Sequence, residues 1–333
     1  MLGLKVMADS APWITYRPGL KVLDCTIRDG GLINNHQFSD KLVRAVYETC
    51  VAAGIDYMEV GYKASPKQFS RSDFGPWKFC DEGVLNKLFS DHDEEKTGLK
   101  LTIMADAGKC DWREQIVPRQ ESKLAMIRVA FYAHQVSEAV QMIEHCHGLG
   151  YETCANLMAI STITDVEIDT VLAEIAKTHA EVMVIVDSFG NLYREQVDRL
   201  YARYSGAMAG TGKEIGMHAH NNMQLAFANT IEAIILGANR VDATMGGLGR
   251  GAGNCPMELL LGFLRNPKFK LRPVFGLLQD HIEPLKSTVE WGPFVQYNIT
   301  GQMNLHPRHA IQFRATKEKD DYVKFYDQVG SDV

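Results

Sequence analysis

The sequence lacks the cysteine patterns of disulfide-rich and zinc-finger proteins. Its seven cysteines are scattered, with no Cys-x-x-Cys pair and no regular spacing. An odd number of cysteines without such a framework favours reduced thiols and a cytoplasmic location. The first twenty residues mix Asp9, Pro12, Arg17 and Pro18 with apolar side chains, so we expect no secretory signal peptide.

Long apolar runs and an excess of positive charge are missing as well. A membrane-spanning helix needs about eighteen or more consecutive apolar residues, and no such run occurs. The formal net charge is -6, so no general attraction to nucleic acid or to anionic lipid is expected. We therefore expect a soluble protein that acts on small molecules and binds neither nucleic acid nor membranes.

Short β-branched, apolar runs recur along the chain, about thirty residues apart, which is the length of one strand, one helix and two loops. Amphipathic stretches such as Lys41–Ala53 and Leu225–Leu236 lie between them. Eight such units are the number that closes a parallel barrel. The predicted strands are Val22–Thr26, Ile55–Gly61, Leu101–Ala105, Met126–Phe131, Thr153–Ile160, Val182–Asp187, Ile215–His220 and Arg240–Thr244.

These repeats predict an α/β protein with a (β/α)8 TIM barrel over residues 21–265. An open, doubly wound sheet also alternates strands and helices, but no Gly-x-Gly-x-x-Gly follows the first strand. Residues 266–333, with one helical hairpin's worth of pattern, are expected to form a short C-terminal extension that packs on the barrel or on a partner subunit. The long aromatic connection from Tyr62 to Lys100 is either a substrate wall or lid, or a packed Ω-loop.

His218-Ala219-His220 is the first candidate for chemistry. Side chains two apart on a strand point the same way, so both imidazoles are expected at the C-terminal mouth of the barrel, where they form half of a metal site. Asp29, at the end of the first strand, can complete a triad with them. Arg28 beside it would place a positive charge against an enolate oxygen.

This donor set has no thiolate, which favours Mn²⁺ or Mg²⁺, with Zn²⁺ and Co²⁺ also compatible. Without the His-x-His pair, the more common role of a residue such as Asp29 would be to cap a loop, and that of Arg28 to form a surface ion pair. The His-x-His pair favours roles in a metal site over these two.

Asp24-x-Thr26-x-Arg28-Asp29-Gly30 together with His218-x-His220 resembles the signature of the DRE-TIM metallolyase (HMG-CoA lyase-like) superfamily. The resemblance covers roughly residues 23–264 and is nearest in pattern to 4-hydroxy-2-oxovalerate aldolases. It implies a barrel, a divalent metal and an enolate formed from a 2-oxo acid or an acyl thioester.

Three further positions fit this resemblance. Glu59, in Met-Glu-Val-Gly, would support Arg28 or a metal-bound water. Ser188, in Asp-Ser-Phe-Gly, would bind the substrate carboxylate. Asn254 ends the glycine-rich loop after the eighth strand and would contact the substrate or support the metal centre.

Other positions depart from the family pattern. The aldolases carry a histidine three residues after the metal aspartate, where this sequence has Leu32, and His36 is the candidate that would replace it as catalytic base, with a metal-bound water as the alternative. The lyase's mobile cysteine precedes its asparagine, whereas Cys255 follows Asn254, so that role is not transferred. In the C-terminal segment, Tyr297 or His306 is a candidate acid, with Tyr297 also a candidate substrate ligand, although subunit packing explains them equally well.

The sequence thus predicts a metal-dependent carbon–carbon lyase, an aldolase that acts on a 2-oxo acid and an aldehyde through a pyruvate-like enolate. One alternative is a Claisen-type acyltransferase that condenses an acyl-CoA with a 2-oxo acid. Another is a non-catalytic barrel that binds a metal and a small acid. We also expect a homo-oligomer, a dimer.

Overall fold

The structure, a computed structural model, describes residues 17–330. Residues 1–16, on which the expected lack of a signal peptide mainly rests, lie outside the described residues. Eight parallel strands form a closed barrel in chain order, which confirms the predicted (β/α)8 fold. The strands are β1 Lys21–Asp24, β2 Tyr57–Tyr62, β3 Lys100–Asp106, β4 Leu124–Phe131, β5 Glu152–Leu157, β6 Val182–Asp187, β7 Glu214–Ala219 and β8 Arg240–Ala243.

The α-helices alternate with the strands and continue beyond the last one. They are α1 Thr26–Gly30, α2 Asp40–Ala53, α3 Glu82–Leu88, α4 Glu94–Thr97, α5 Trp112–Gln115, α6 Val136–Gly148, α7 Asp165–Ala176, α8 Arg194–Met208, α9 Ala226–Leu236, α10 Met257–Leu264, α11 Leu271–Leu277, α12 Glu283–Leu285, α13 Val295–Gln302, α14 Arg308–Arg314 and α15 Tyr322–Gly330.

The helix α2 shows how the local sequence sets these boundaries. Ser39 accepts a hydrogen bond from the backbone N–H of Leu42 and so caps the first turn. Gly54 ends the helix in the left-handed conformation, with φ of 75°. The face between the two caps is apolar and packs against the barrel.

Seven of the eight predicted strands differ from the observed ones by one to three residues at an end. The fifth ends at Leu157 rather than at Ile160, and the first ends at Asp24 rather than at Thr26. Residues 158–160 are apolar because Met158 lines the mouth of the barrel and Ile160 is buried in a following turn. Apolar character therefore continues past the end of the hydrogen-bonded ladder.

The interior of the barrel contains both apolar and charged side chains. Eight buried apolar side chains form one cluster, which consists of Leu23, Cys25, Tyr57, Met126, Cys154, Val182, Val184 and Val186. The larger apolar core lies between the strands and the surrounding helices. The interior opens as a cavity at the C-terminal ends of the strands, where Val186 of the eight-residue cluster lies beside Ser188 and His218.

The connection between β2 and β3 combines both predicted roles. Trp77, Phe79 and Cys80 are fully buried, and the Trp77 Nε1–H donates to the carbonyl of Phe38 at 3.1 Å, as in a packed loop. Phe69 packs against the cluster of Tyr62, Ala64, Met104 and Ala130. Because Tyr62, Met104 and Ala130 line the mouth of the barrel, the connection also supports the wall of the site.

Up to residue 330, the C-terminal extension contains five short α-helices, and a π-helical segment, Leu278–Ile282, joins α11 to α12; this is more than the single hairpin expected. Helices of three to nine residues display too few turns for a hydrophobic repeat to be recognised. The extension packs on the barrel: Trp291 Nε1–H donates to the carbonyl of Gly246 and Asn298 Nδ2–H to that of Asn222. The division at residue 265 stays a prediction.

No helix within the described range has the length and apolarity needed to cross a membrane.

Candidate active site

Three buried side chains meet at the C-terminal mouth of the barrel. Asp29 lies in α1 directly after β1, while His218 and His220 lie at and just beyond the end of β7. The Asp29 Oδ2 is 3.4 Å from the Nε2 of His218 and 3.7 Å from that of His220. One ligand atom from each lies within 4.8 Å of the others, so these three residues can surround one metal ion.

The alternation of β7 explains why the two histidines converge. Their rings are 5.1 Å apart and nearly perpendicular, at 87°. Ala219 between them belongs to the core beneath the helices, on the other face of the strand. The predicted inward direction of both imidazoles agrees with this geometry.

The donor atoms fit a divalent cation. Neither ring nitrogen of His218 has a hydrogen bond of normal geometry, although the residue is buried. Buried polar atoms without partners are rare in folded proteins. A metal ion between Asp29, His218 and His220 would give the Nε2 of His218 its partner, and a set of one carboxylate and two imidazoles suits Mn²⁺, Mg²⁺ or Zn²⁺.

The protonation states also suit metal ligands. Burial by itself raises the pKa of Asp29, but Arg28 and the two histidines outweigh it and hold that pKa well below its usual range. Burial lowers the pKa of His220 to about 3, so its ring is neutral at physiological pH. A metal binds the deprotonated carboxylate and the neutral imidazole.

Buried ion pairs surround this triad. The Arg28 Nη1 donates to Asp29 Oδ2 at 2.6 Å, and its Nε donates to Glu59 Oε2 at 2.6 Å. Arg128 of β4 donates to the same Glu59 oxygen at 3.0 Å and to Asp242 of β8. Glu59 therefore supports Arg28, the first of the two roles considered for it.

Asp242 closes the arrangement into a ring. Its Oδ2 lies 3.0 Å from the Nδ1 of His218, the nitrogen that faces away from Asp29. Burial lowers the pKa of His218, but Asp242 and Asp29 outweigh burial and raise it. A carboxylate behind a ligand histidine is the usual support for a metal-bound imidazole.

Arg128 and Asp242 were missed by sequence reasoning. Both stand in the middle of predicted strands, where each interrupts an apolar run. A charged residue at an inward position of a barrel strand is the signal that would have identified them. With these two residues, the ring contains the guanidinium groups of Arg28 and Arg128 and the carboxylates of Asp29, Glu59 and Asp242. When the imidazoles are neutral, its net charge is therefore one negative charge.

A cavity of about 70 Å³ lies beside the ring. Such a volume suits a small acid better than a drug-sized molecule, for which pockets of about 300–1,000 Å³ are usual. The cavity has a polar part and an apolar part. The polar part is lined by Arg28, Asn156, Ser188, His218, His220 and Arg250, and the apolar part by Leu32, Tyr62, Met104, Ala130, Met158 and Val186.

Ser188 and Asn254 both lie at the C-terminal end of the barrel, where the sequence predicted them. The Ser188 Oγ accepts the backbone N–H of Ala159 at 2.8 Å and lines the cavity. The Asn254 Oδ1 is buried without a hydrogen bond. A Cβ at Gly249 would lie 2.1 Å from Asn254 Nδ2 and 3.0 Å from Asp29 Oδ1, so glycine is what allows Asn254 to approach Asp29. Asn254 lies near Asp29, donates from its Nδ2–H to the carbonyl of Leu248 at 3.3 Å, and does not line the cavity.

His36 lies behind the cavity wall. Its ring is 1% exposed and contacts the edge of Tyr62, with 5.3 Å between ring centroids. Burial lowers its pKa to about 3. Leu32 and Tyr62 line the cavity in its place. His36 therefore reaches the site only through Tyr62.

The C-terminal candidates do not line the cavity either. Tyr297 packs in a separate apolar cluster with Ala252 and Phe313. His306 contacts Phe189 and lies behind Arg250. Cys255 is fully buried, and burial raises the pKa of its thiol to about 12, so no catalytic role is assigned to this cysteine.

Comparison with known proteins gives this geometry a context. The chain is 31% identical to a 4-hydroxy-2-oxovalerate aldolase of Bacillus cereus over 88% of its own length and 86% of that protein. It is 30% identical to an oxaloacetate decarboxylase of Mycobacterium tuberculosis over 73% of its length and 69% of that protein.

Solved structures show the same fold. The N-terminal domain of a candidate aldolase from Bacteroides vulgatus has a TM-score of 0.75 at 27% identity, covering 91% of this chain and 100% of that one. The HMG-CoA lyase of Brucella melitensis has a TM-score of 0.63 at 14% identity, covering 80% and 99%. Residues 19–273 match the family described as HMGL-like, and the chain belongs to that family, as the resemblance in its motifs predicted.

Proposed function

We propose that the protein is a divalent-metal-dependent aldolase that forms or cleaves a carbon–carbon bond next to the carbonyl of a 2-oxo acid. The observation that carries this proposal is the convergence of Asp29, His218 and His220 with Arg28 at the barrel mouth. A carbon–carbon lyase is also what the HMGL-like family and the aldolase relatives indicate.

Asp29, His218 and His220 would hold the metal, for which we favour Mn²⁺ or Mg²⁺. When bound, such an ion supplies Lewis-acid polarisation of the substrate carbonyl. The excess negative charge of the surrounding ring supports a cation at this position, because an uncompensated buried charge is costly.

Arg28 and Ser188 would hold the two oxygen-bearing groups of the substrate. Cleavage of a 4-hydroxy-2-oxo acid removes the proton of the 4-hydroxyl, breaks the bond between C3 and C4, and leaves an aldehyde and a pyruvate enolate. Arg28 lines the cavity and would stabilise the negative charge on the enolate oxygen. Glu59 fixes the direction of the Arg28 guanidinium through the Nε–H. Ser188 would donate its hydroxyl hydrogen to the substrate carboxylate.

The proton transfer is proposed to involve His36 through Tyr62. His36 has a neutral ring with a buried Nδ1 that has no hydrogen bond. Tyr62 stands between this ring and the cavity, and burial raises the pKa of its hydroxyl above the usual value, so the hydroxyl keeps its proton. In the proposed step the Tyr62 oxygen takes the proton of the substrate 4-hydroxyl while the Tyr62 hydroxyl hydrogen passes to the neutral ring of His36, which would be the final acceptor.

The experiment that tests the function is exchange of deuterium from the solvent into the methyl group of pyruvate. We expect exchange with Mn²⁺ and none with a chelator. Exchange that is absent with every divalent metal, while oxalate and metal still bind, would support the non-catalytic barrel. Release of free thiol on mixing acetyl-CoA with 2-oxo acids would support the acyltransferase; the small cavity argues against it.

Decarboxylation is a second candidate for the same site, favoured by the relative named oxaloacetate decarboxylase. Loss of CO₂ from oxaloacetate leaves the same pyruvate enolate as aldol cleavage does. The apolar part of the cavity favours an uncharged aldehyde over a second carboxylate. Comparing the rates with oxaloacetate and with a 4-hydroxy-2-oxo acid decides between the two reactions.

The assembly and the location are also proposals. Seven buried cysteines, all without disulfides, support a reducing compartment such as the cytoplasm. A homodimer is supported by Tyr322, Val323 and Tyr326, which expose 42%, 71% and 54% of their surface on α15. Light scattering on the purified protein measures the mass directly, and a monomer at all concentrations would contradict the dimer.

A further inference from the structure

Arg250 has an incompletely paired guanidinium at the cavity. It stands in the glycine-rich loop after β8 and lines the cavity. Its Nε is buried without a hydrogen bond. Among residues 17–330, no carboxylate pairs with this guanidinium within 4.0 Å. Its Nη2–H donates to the carbonyl of Ser188 at 3.3 Å, a neutral acceptor.

The second neighbour of this guanidinium is a donor rather than an acceptor. His306 Nδ1 accepts the backbone N–H of Arg308 at 3.0 Å. A neutral imidazole carries one hydrogen, so that hydrogen is on Nε2. The pKa of His306 is lowered to about 3 by burial and by Arg250, in agreement with a neutral ring. The contact of 3.5 Å between Arg250 Nη1 and His306 Nε2 therefore brings two N–H groups together.

Ser188 adds a second donor at the cavity. Its Oγ already accepts the backbone N–H of Ala159, so its own hydroxyl hydrogen can point into the cavity. Two donors thus line one side of the cavity, Ser188 after β6 and Arg250 after β8, and His306 of the C-terminal extension stands behind Arg250. A group of donors with a positive charge and without an anionic acceptor is complementary to an anion.

We propose that Ser188 and Arg250 form a clamp for the carboxylate of the 2-oxo acid, with Arg250 supplying the charge and His306 positioning the Arg250 guanidinium from behind. This inference rests on the proposed function and names the residues that recognise its substrate class. The buried ring carries one negative charge in excess, and a divalent cation turns this into one positive charge. With the guanidinium of Arg250 counted, the site then carries two positive charges, which match the two negative charges of a pyruvate enolate, one on the carboxylate that Arg250 holds and one on the enolate oxygen.

The apolar part of the cavity limits where a second charge would fit. Leu32, Met104 and Met158 offer no hydrogen-bond donor to an anion. The clamp therefore predicts a substrate with one carboxylate at the polar side and an uncharged group at the apolar side. The competing assignment is that Arg250 binds the second carboxylate of a 2-oxo dicarboxylic acid, the one far from the 2-oxo group.

The test measures pyruvate deuterium exchange with saturating Mn²⁺ for the parent and for R250Q, R250K and H306F. For R250Q we expect a KM for pyruvate about 10- to 100-fold higher, with kcat within about threefold, because a charged hydrogen bond used in binding is lost. R250K keeps the charge without the fork and should recover part of the loss. H306F keeps a ring beside Phe189, removes the imidazole nitrogen behind Arg250 and should raise KM by about 3- to 10-fold, because Arg250 is held less well.

Binding of oxalate, measured by calorimetry with Mn²⁺ present, is expected to weaken in the same order without any turnover. R272Q is the matched control, since it makes the same substitution at an exposed arginine of α11 and should leave KM unchanged. Far-UV circular dichroism verifies that each variant is folded. If R250Q does not fold, the KM and oxalate binding of R250K are the measurements that test the clamp.

Each outcome separates the clamp from the function as a whole. Parent-like KM and oxalate binding in R250Q and R250K would overturn the clamp while leaving the aldolase proposal intact. A loss confined to 2-oxo dicarboxylates, with pyruvate unaffected, would also overturn it in favour of the distal role. A parent protein that neither exchanges pyruvate nor binds oxalate would overturn the proposed function itself.

Discussion

The two ends of the barrel carry the same kinds of charged side chain, but only one end leaves them incompletely paired. At the N-terminal end, Glu152 accepts hydrogen bonds from Tyr57, Lys100 and Arg240, at 2.8–3.2 Å. Glu214 pairs with Arg240 and lies 3.6 Å from Lys21. These groups border a wide cleft of about 770 Å³ that is open to water.

At the C-terminal end the charges are nearly all removed from water, yet several atoms have no partner. One nitrogen of Arg28, one oxygen of Glu59, both nitrogens of His218 and the Oδ1 of Asn254 are buried without a hydrogen bond. The wider cleft is therefore not the better candidate for a site. Buried and incompletely paired groups point to a ligand more strongly than volume does, because an unpaired buried group is costly unless something else satisfies it.

The substitution Asp29→Asn should produce the largest effect. It removes a charged metal ligand, and we expect deuterium exchange to fall by about 1,000-fold or more, since even the outer partners of a metal ligand are worth about 10- to 100-fold. Mn²⁺ binding, followed by electron paramagnetic resonance, should weaken in parallel. Glu152→Gln at the other end is the control and should leave exchange within about twofold. Equal losses of exchange in Asp29→Asn and Glu152→Gln would show that the two ends of the barrel do not differ in function.

The next effect concerns Arg28, which is expected to act in the transition state. Arg28→Ala should lower kcat for exchange by about 100- to 1,000-fold, the loss typical of a removed oxyanion donor. Arg240→Ala removes an arginine of the N-terminal end and should reduce stability without lowering kcat. Parent-like exchange in Arg28→Ala would show that Arg28 only holds Glu59 and Asp29 in place.

Asp242→Asn tests whether the ring supports the metal. We expect about 10- to 100-fold weaker Mn²⁺ binding, because His218 loses the carboxylate behind it. The free energy of unfolding should also fall by about 3–5 kcal/mol, since Arg128 loses a buried partner. Glu214→Gln, which breaks a partly exposed pair, should cost about 1 kcal/mol or less. Similar losses in urea unfolding for both variants would contradict this difference.

The smallest effect is a pH dependence caused by His36. Its pKa is about 3 in the folded protein, below the value of an unfolded histidine, so the unfolded chain binds the proton more readily. Its contribution to stability is therefore present above about pH 6.5 and is lost as the pH falls towards 3. Between pH 7 and pH 5 the parent should lose about 2 kcal/mol that His36→Phe does not lose. Equal slopes in chemical unfolding at the two pH values would contradict a buried neutral ring.

How far the sequence leads differs between the fold and the site. The strand count, the barrel and the inward direction of His218 and His220 follow from local periodicity, because alternation along a strand is set by the backbone itself. The Arg28-Asp29 pair follows from its place after β1. Arg128, Asp242 and Arg250 do not follow, since each is one charged residue in an ordinary context until distant strands are brought around it.

The positions that misled the prediction have the same origin. Tyr297 and His306 looked like candidate acids because the C-terminal segment is rich in polar and aromatic residues, yet Tyr297 packs in its own cluster and His306 lies behind Arg250. His36 is near Asp29 in the chain, but the backbone folds it behind Tyr62. Proximity in sequence does not determine how far along the barrel axis a side chain lies or whether it reaches the cavity.

The sequence by itself determined the eight strand–helix units, the alternation that turns the two histidines inward, and the motifs of the HMGL-like family. These features depend on residues that are neighbours in the chain. Only the tertiary structure decided that Arg128 and Asp242 close a ring around the proposed metal ligands and that Arg250 faces the cavity with no carboxylate of residues 17–330 paired to it. The physical reason is that desolvation and charge pairing depend on which strands surround a group, and closing the barrel is what places those strands together.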